Sequence, residues 1–201
     1  MSKDQLTNIF NREAFKFDFK QMLMDAKNNS QPLTIASMDL DKFLKVNQDH
    51  GHAGGDAVLT GIAEVLKDVV GEKGVLYRVG GDEFAVLFSD TLREQAFLIM
   101  EQVRAAVEAK EGYGDYAVKV KVSGGIASFP IDGNDTATLW RKADQALYKA
   151  KLAGANQILL AYDERMVPKT VHFTETQLER LSLLSDQLEI LIGQWPEPLD
   201  E

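Results

Sequence analysis

The chain has 201 residues, of which 45% are hydrophobic and 26% are charged, and its formal net charge is −9. This balance is typical of one soluble globular domain with an appendage, and it argues against nucleic acid or an anionic membrane as the main partner. Cysteine is absent, which excludes disulfides, thiolate nucleophiles and cysteine metal sites. No apolar window is long enough to span a bilayer and no signal-peptide core follows the N-terminus, so we expect a cytoplasmic protein.

Apolar periodicity and turn signals divide the chain into helices and strands. Asn11 is a plausible N-cap for the first helix, and Asp39 directly follows the first strand, which is short and mainly apolar. In chain order we predict helix 11–28, strand 33–38, helix 43–49, a break at Gly51, helix 54–70, strands 75–79 and 84–88, helix 92–109, strands within 117–129, helix 137–152 and strand 157–162.

This order of elements predicts the fold class. After the first helix it runs β-α-α-β-β-α-β-α-β, which is typical of an α+β domain with helices packed on a mainly antiparallel sheet. The ferredoxin-like β-α-β-β-α-β arrangement is the nearest simple pattern.

The hairpin between strands 75–79 and 84–88 carries the candidate chemistry. Its connection reads Gly-Gly-Asp-Glu, which is typical of a tight turn whose glycines take positive φ and leave room for a ligand. Asp82 and Glu83 then project two adjacent carboxylates from the tip. Such carboxylates raise each other's proton affinity unless a cation neutralises them, and Mg²⁺ prefers these oxygens. A solvated turn with incidental acids is the alternative.

Five motifs in the same order resemble those of the GGDEF family, the diguanylate cyclases. The matching stretches are 4–12, 39–47 together with 51–56, 80–84, 123–127 and 143–151. The resemblance covers about residues 4–162 and implies a ferredoxin-like, nucleotidyl-cyclase-like core. We therefore expect a GGDEF domain over 1–162 and an extension over 163–201.

The resemblance also implies a reaction, in which two GTP molecules condense to cyclic di-GMP and release two pyrophosphates, with Mg²⁺ (or Mn²⁺) as cofactor. Because each GTP is attacked by the hydroxyl of the other, the active form is expected to be a homodimer. Asp39, Asp82 and Glu83 match the catalytic positions. Asp39, the Leu40 carbonyl and Asp82 match the metal ligands, and Glu83 is either a further ligand or helps to deprotonate the attacking hydroxyl. Without the other motifs, the alternative interpretation of Asp39 is a helix N-cap.

Further matched positions concern GTP itself. The loop that leads through Phe43 and Leu44 opens a helix, whose N-terminal amides form an anion site. Asn47 and Asp56 match the positions that read guanine. The carboxylate of Asp56 can accept from guanine N1–H and N2–H₂ together, a donor pair that adenine lacks.

Two cationic residues complete the expected site. Lys151 matches the family's terminal-phosphate lysine, although without that match it is one more lysine on a charged helical face. Arg78 stands two residues before the glycine pair. It holds either the base or the hairpin, with a simple surface charge as the alternative.

The sequence departs from the family pattern at four of the matched positions and at one site. Leu44 and Ala155 replace a lysine and an arginine, while Asn8 and Gln48 replace a glycine and an aspartate. Each lost cation costs about 1.5 to 3 kcal/mol of phosphate binding if its contact is buried and unreplaced. The family's R-x-x-D product-inhibition site would fall on residues 71–74 and is absent, so we expect no feedback by cyclic di-GMP there.

The C-terminal extension is acidic, with nine acids and three bases over 163–201. A capping-box start and leucines spaced 3-4-3 predict a helix at about 175–193. Its apolar seam either docks back on the domain or pairs two copies.

Two functional hypotheses follow. The first is a diguanylate cyclase, favoured by Asp39, Asp82 and Glu83. The second, favoured by Leu44 and Ala155, is a catalytically weak or inactive GGDEF module that binds GTP or a related nucleotide and signals through a sensor or effector protein. A cyclase for mixed dinucleotides is less favoured, because the chain keeps the guanine acceptor.

Overall fold

The computed structural model describes residues 2–161, which lie in the first of the two compact units of the chain. In chain order they form helix α1 (Arg12–Asn29), strand β1 (Leu33–Asp41), helix α2 (Phe43–Val70), a 3-10 turn (Gly71–Lys73), strands β2 (Val75–Arg78) and β3 (Glu83–Ser89), helix α3 (Arg93–Ala109), strand β4 (Lys121–Phe129), helix α4 (Thr136–Leu152) and strand β5 (Ile158–Leu160). The α+β class predicted from the sequence is confirmed. The helix expected at about 175–193 lies outside the described residues.

The strands form one sheet in the order β2-β3-β1-β4-β5. β1 pairs antiparallel with both β3 and β4, β2 pairs antiparallel with β3, and β5 is parallel to β4. The segment from β1 to β4 is therefore the ferredoxin-like arrangement, extended by α4 and β5. In this register Asp39, near the end of β1, lies opposite Glu83 on one side and Ser123 on the other.

Both faces of the central strand are buried. Leu33 and Ile35 pack in a core with residues of α1 and α4, whereas Met38 and Leu40 pack in a second core with α2 and α3. Successive strand residues point to opposite faces, so a strand covered on both sides is apolar at almost every position. This explains the mainly apolar run that identified the strand in the sequence, in which Thr34 and Ser37 are polar and also buried.

The element boundaries agree with the sequence at the caps and differ at some strand ends. The Asn11 side chain accepts hydrogen bonds from the amides of Glu13 and Ala14 at 3.1 and 3.0 Å, which confirms it as the N-cap of α1. β1 extends to Asp41, so Asp39 belongs to the strand, and β4 begins only at Lys121. The sequence predicted that the strand ends before the polar Asp39, but pairing with β3 and β4 extends β1 through Asp39 to Asp41.

Helix α2 bends in the middle. Gly51 has φ 68° and ψ 179° inside the helix, which confirms the predicted break. A residue with a side chain would be strained at this positive φ. Within residues 2–161, no helix has both the length and the apolar character of a membrane span.

Candidate active site

The loop between β2 and β3 is a four-residue connection over 79–82. The amides of Val79 and Gly80 both donate to the Glu83 carbonyl, at 2.9 and 3.3 Å. The expectation of positive φ was wrong, since neither Gly80 nor Gly81 has one. A Cβ at Gly80 would instead run into the carboxylate of Glu83. The turn therefore requires glycine at position 80 because a side chain would have no room there, and not because the backbone is left-handed.

The sequence suggested that the two carboxylates of the motif project together from the hairpin tip, but in the structure they do not. Asp82 lines a cavity with Phe43 on the side of α2. Glu83, the first residue of β3, lines a different cavity with Arg12 and Trp140 on the side of α1 and α4. Consecutive residues entering a strand point to opposite faces, which separates the two acids.

Asp39 is a mostly buried acid with a strongly raised pKa near the end of the central strand. Its side chain is only 15% exposed and pairs with the ammonium of Lys151, in the last turn of α4. Burial raises the pKa of Asp39 to about 6; the hydrogen bond from Lys151 opposes this rise, and the charges of Asp82 and Glu83 add to it. A mostly buried carboxyl with two further acids nearby favours a bound cation, and Lys151 is that cation in this structure.

The carboxylates near the end of β1 offer few ligands for the metal that the sequence suggests. Within residues 2–161, no three acids, histidines or cysteines are arranged to hold an ion by themselves. Asp39 and Asp82 do act on each other electrostatically, and the Leu40 amide donates to the Asp82 carbonyl at 3.4 Å. Mg²⁺ is usually held by one or two carboxylates plus substrate phosphates. The donor set therefore fits a metal that arrives with a phosphorylated ligand.

A cavity of about 400 Å³ lies between α2 and the hairpin. This volume is in the range of small-molecule sites. The cavity brings together all the predicted substrate-binding residues except Lys151, and it adds Asp82 from the motif. Its lining residues are Phe43, Leu44, Asn47, His52, Asp56, Leu59, Arg78, Gly81 and Asp82.

Gly55 allows the two halves of α2 to share this cavity. A Cβ at Gly55 would run into the carboxamide oxygen of Asn47 and would lie 3.2 Å from the ring of Phe43. The glycine thus makes room for the Asn47 side chain across the bend at Gly51. Sequence reasoning assigned no role to Gly55 or to His52, although both belong to the stretch 51–56 that carried the resemblance.

Arg78 braces the hairpin. Its Nε and Nη2 donate to the Gly81 carbonyl at 3.1 and 2.7 Å, and its Nη1 donates to Asp4 Oδ1 at 3.0 Å. Its side chain is 14% exposed, so the alternative of a simple surface charge was wrong. Burial raises the pKa of Asp4, but hydrogen bonds from Thr7 and Arg78 outweigh it and the pKa is lowered overall. Asp4 is a further residue without an assigned role in the sequence, within the stretch 4–12.

Hydrogen bonds from Asn156 hold the loop after α4, which lacks the expected arginine. The Asn156 amide donates to Asp41 Oδ2 at 2.9 Å, and its side-chain amide donates to Glu108 Oε1 at 2.8 Å. Ala155 in this loop and Lys42 before α2 line a separate cavity of about 610 Å³. Leu44 is 70% exposed. Neither of the two replaced positions is buried.

The fold and the site define an α+β domain of the nucleotidyl-cyclase class, with acids at the end of the central strand. The sequence profile of the family described as "Diguanylate cyclase, GGDEF domain" matches residues 1–157. The chain belongs to the GGDEF family.

Curated relatives and solved structures agree with this assignment. The chain is 35% identical over 154 residues to a diguanylate cyclase of Vibrio cholerae serotype O1, covering 77% of this chain and 48% of that protein. It is 34% identical over 160 residues to the diguanylate cyclase DgcP of Pseudomonas aeruginosa, covering 79% of this chain and 24% of that protein. The chain thus spans half or less of the length of these relatives.

Two solved structures illustrate the similarity in three dimensions. The active GGEEF domain of a Vibrio cholerae diguanylate cyclase has a TM-score of 0.73 and 32% identity, over 77% of this chain and 98% of that one. The coiled coil and GGDEF domain of DgcB from Caulobacter crescentus, in complex with c-di-GMP, has a TM-score of 0.73 and 28% identity, over 79% and 84%.

Proposed function

We propose that this domain is a diguanylate cyclase that condenses two GTP molecules into cyclic di-GMP. In each half of the reaction the 3′-hydroxyl of one GTP attacks the α-phosphorus of the other. A phosphodiester bond forms, the bond to the β-phosphate oxygen breaks, and pyrophosphate leaves. The observation that supports this best is that Asp82, whose charge acts on Asp39, lines the same cavity as Asn47 and Asp56.

Guanine recognition is assigned to the cavity between α2 and the hairpin. Asp56 accepts from N1–H and N2–H₂ of the base, and the carboxamide of Asn47 supplies both a donor and an acceptor. Adenine presents no matching donor pair, so a carboxylate here favours guanine. Arg78 fixes the hairpin side of the cavity through the Gly81 carbonyl.

The phosphates are assigned to the start of α2 and to Lys151. The first amides of a helix form an anion site, and α2 begins at Phe43 without a side-chain cap on those amides. Lys151 supplies the positive charge at the other side of Asp39. Leu44 and Ala155 supply none, so phosphate binding depends more on these groups than in a domain with both cations.

Asp39, Asp82 and the Leu40 carbonyl are assigned to a divalent metal, Mg²⁺ or Mn²⁺. When bound, such an ion neutralises the triphosphate and polarises the α-phosphate. Glu83 lies opposite Asp39 across the ladder, and its charge acts on Asp39. It either joins the metal or takes the proton of the attacking hydroxyl. Glu83→Gln separates these roles, because loss of the metal ligand lowers metal affinity and loss of the base lowers only the rate.

The active form is assigned to a homodimer, because two GTP-bearing sites must face each other for mutual attack. We further propose control by a sensor or effector protein. One solved neighbour, diguanylate cyclase SiaD of Pseudomonas aeruginosa, is described in complex with its activator SiaC. That structure is 29% identical to this chain over 79% of it.

The test is to incubate the purified chain with GTP and Mg²⁺ at several protein concentrations and to follow cyclic di-GMP by chromatography. Product that rises faster than linearly with protein, and that disappears in Asp82→Ala and Glu83→Ala, supports a dimer-dependent cyclase. Asp90→Ala is a matched control, because Asp90 lies at the opposite end of β3.

The second candidate is a GGDEF module that binds GTP or a related nucleotide without efficient turnover. The exposed Leu44 and the side chain of Ala155 favour it, since neither offers a cation to the phosphates. GTP binding without product, even in a chain fused to a strong dimerisation domain, would select this candidate over the cyclase.

A further inference from the structure

The ion pair between Asp39 and Lys151 joins residues 112 positions apart in the chain. Asp39 comes from near the end of the central strand, and Lys151 from the last turn of α4. The lysine side chain is 37% exposed and the carboxylate only 15% exposed. One end of this pair is therefore fixed in the sheet, while the other is a long side chain with a partly open path to solvent.

The ammonium of Lys151 bonds to Oδ1 of Asp39, a carboxylate that is assigned to the metal. Two cations that seek the same carboxylate compete for its lone pairs and repel each other. A buried carboxylate also needs a compensating cation when no metal is present, because an unpaired buried charge is strongly unfavourable. Lys151 meets that need in the metal-free domain.

Two other features bear on how a metal would bind Asp39. Within the part of the chain that the structure describes, no three acids, histidines or cysteines are grouped so that they could hold an ion. The Glu83 side chain lines the cavity between α1 and α4, against Gly80. A metal that binds Asp39 therefore meets the ammonium of Lys151 on the same carboxylate.

We propose that Lys151 is a displaceable counter-ion: a divalent metal replaces it at Asp39, and the released ammonium moves onto the phosphates of the bound nucleotide. The second half rests on the proposed function, because it requires a triphosphate at this site. Lysine suits such a transfer, since it carries a compact charge with three donors on a flexible stem. Metal and nucleotide then bind cooperatively through one side chain, and the coupling is reciprocal.

The first test needs no nucleotide. Mn²⁺ is titrated by calorimetry into the full chain and into Lys151→Met, Lys151→Arg and Lys142→Met. Lys142 is a matched control because it lies on the same helix and acts on Asp132 instead of Asp39. We expect Lys151→Met to bind Mn²⁺ about tenfold more tightly than the wild type. Lys151→Arg and Lys142→Met should resemble the wild type, and an unchanged or weaker affinity in Lys151→Met overturns the proposal.

A second measurement observes the lysine itself and separates displacement from simple repulsion. The lysines are labelled by reductive ¹³C-methylation, and the Lys151 signal is identified by its absence in Lys151→Arg. Saturating Mg²⁺ alone should move this signal to the position of solvent-exposed lysines. A Lys151 signal that stays unchanged at saturating Mg²⁺ means that the ion pair persists, which overturns the displacement. Thermal melts of each variant verify that it is folded.

The nucleotide half is tested with a GTP analogue whose α,β-bridging oxygen is a methylene group, which prevents turnover. In the wild type, saturating Mg²⁺ should raise the affinity for the analogue about tenfold more than it does in Lys151→Met. Equal enhancement in both chains overturns the transfer to the phosphates. If neither chain binds the analogue, the proposed function fails, while the metal titration still decides the displacement at Asp39.

Discussion

The carboxylate of Asp39 is held by the ammonium of Lys151, so the end of the central strand and the end of α4 meet at one point. Asp82 and Glu83 act on the same carboxylate from the hairpin. Three acids and one lysine from separate parts of the chain thus form one electrostatic unit. Its properties can be tested without knowledge of the signal that controls the protein.

Stability should depend on pH through Asp39. Burial raises the pKa of this carboxyl from an ordinary 3.8 to about 6, so the folded metal-free chain binds the proton more tightly than the unfolded chain. The corresponding stabilisation is complete below the unfolded pKa and is lost as the pH rises through about 6. Between about pH 4.5 and pH 7.5 we expect the wild type to lose about 2 kcal/mol relative to Asp39→Asn.

Denaturant unfolding of both chains, with a chelator present, measures this difference. The comparison with Asp39→Asn isolates the titration of Asp39, because all other titrating groups are the same in both chains. Parallel pH profiles for the two chains would contradict a raised pKa at Asp39.

Restoring the two missing cations should strengthen GTP binding. Leu44 is 70% exposed and lines the nucleotide cavity, so Leu44→Lys adds a charge without opening the core. Ala155 already has a positive φ of 62°, so Ala155→Arg brings little new backbone strain. Each change should lower KM for GTP by about tenfold, the range of one charge-assisted phosphate contact, with little change in kcat.

Steady-state kinetics measure this effect, and Leu98→Lys serves as the control. Leu98 is 62% exposed and lies on α3, away from the cavity. If Leu44→Lys and Ala155→Arg keep the KM of the wild type, as the control should, the phosphates do not lie beside the start of α2 and the loop of Ala155.

Guanine preference should depend on Asp56. Asp56→Asn replaces one acceptor oxygen by a donor, which opposes the N1–H and N2–H₂ donors of the base. We expect the affinity for GTP to fall about 10- to 100-fold, while the affinity for ATP changes little. Both affinities are measured by calorimetry with Mg²⁺ present.

Asp68→Asn makes the same chemical change at an exposed position later in α2 and should leave both affinities unchanged. An Asp56→Asn chain that still prefers GTP as strongly as the wild type would remove Asp56 from the base site.

Gly55→Ala should damage both stability and nucleotide binding. Alanine is favoured over glycine in a helix by about 1 kcal/mol, but here its Cβ would run into Asn47 and approach the Phe43 ring. We expect the clash to outweigh the propensity and to lower the free energy of unfolding by about 1 to 3 kcal/mol. GTP affinity should fall with it, because Asn47 must move.

Denaturant unfolding compares this variant with Gly81→Ala, whose added Cβ would have no neighbour within 4 Å. That control should stay within about 0.5 kcal/mol of the wild type. A Gly55→Ala chain that is more stable than the wild type would mean that the contact with Asn47 relaxes at no cost.

Much of the fold was predictable because its signals are local. The Asn11 cap, the bend at Gly51 and the apolar run of β1 each depend on a few neighbouring residues, and the structure confirms all three. The α+β class followed from the order of these elements. Strand ends were less predictable, because β1 continues to Asp41 only through its pairing with β3 and β4.

The sequence by itself determined the family, the order of the elements and the set of acids, amide and lysine that the proposal uses. Tertiary structure decided which of them meet: Lys151 lies on Asp39, Arg78 holds the Gly81 carbonyl, and Glu83 turns away from the side on which Asp82 lines its cavity. The physical reason is the separation along the chain over which each kind of interaction acts. Caps, turns and periodicity act over a few residues, whereas these contacts depend on strand order, register and the face that each side chain takes.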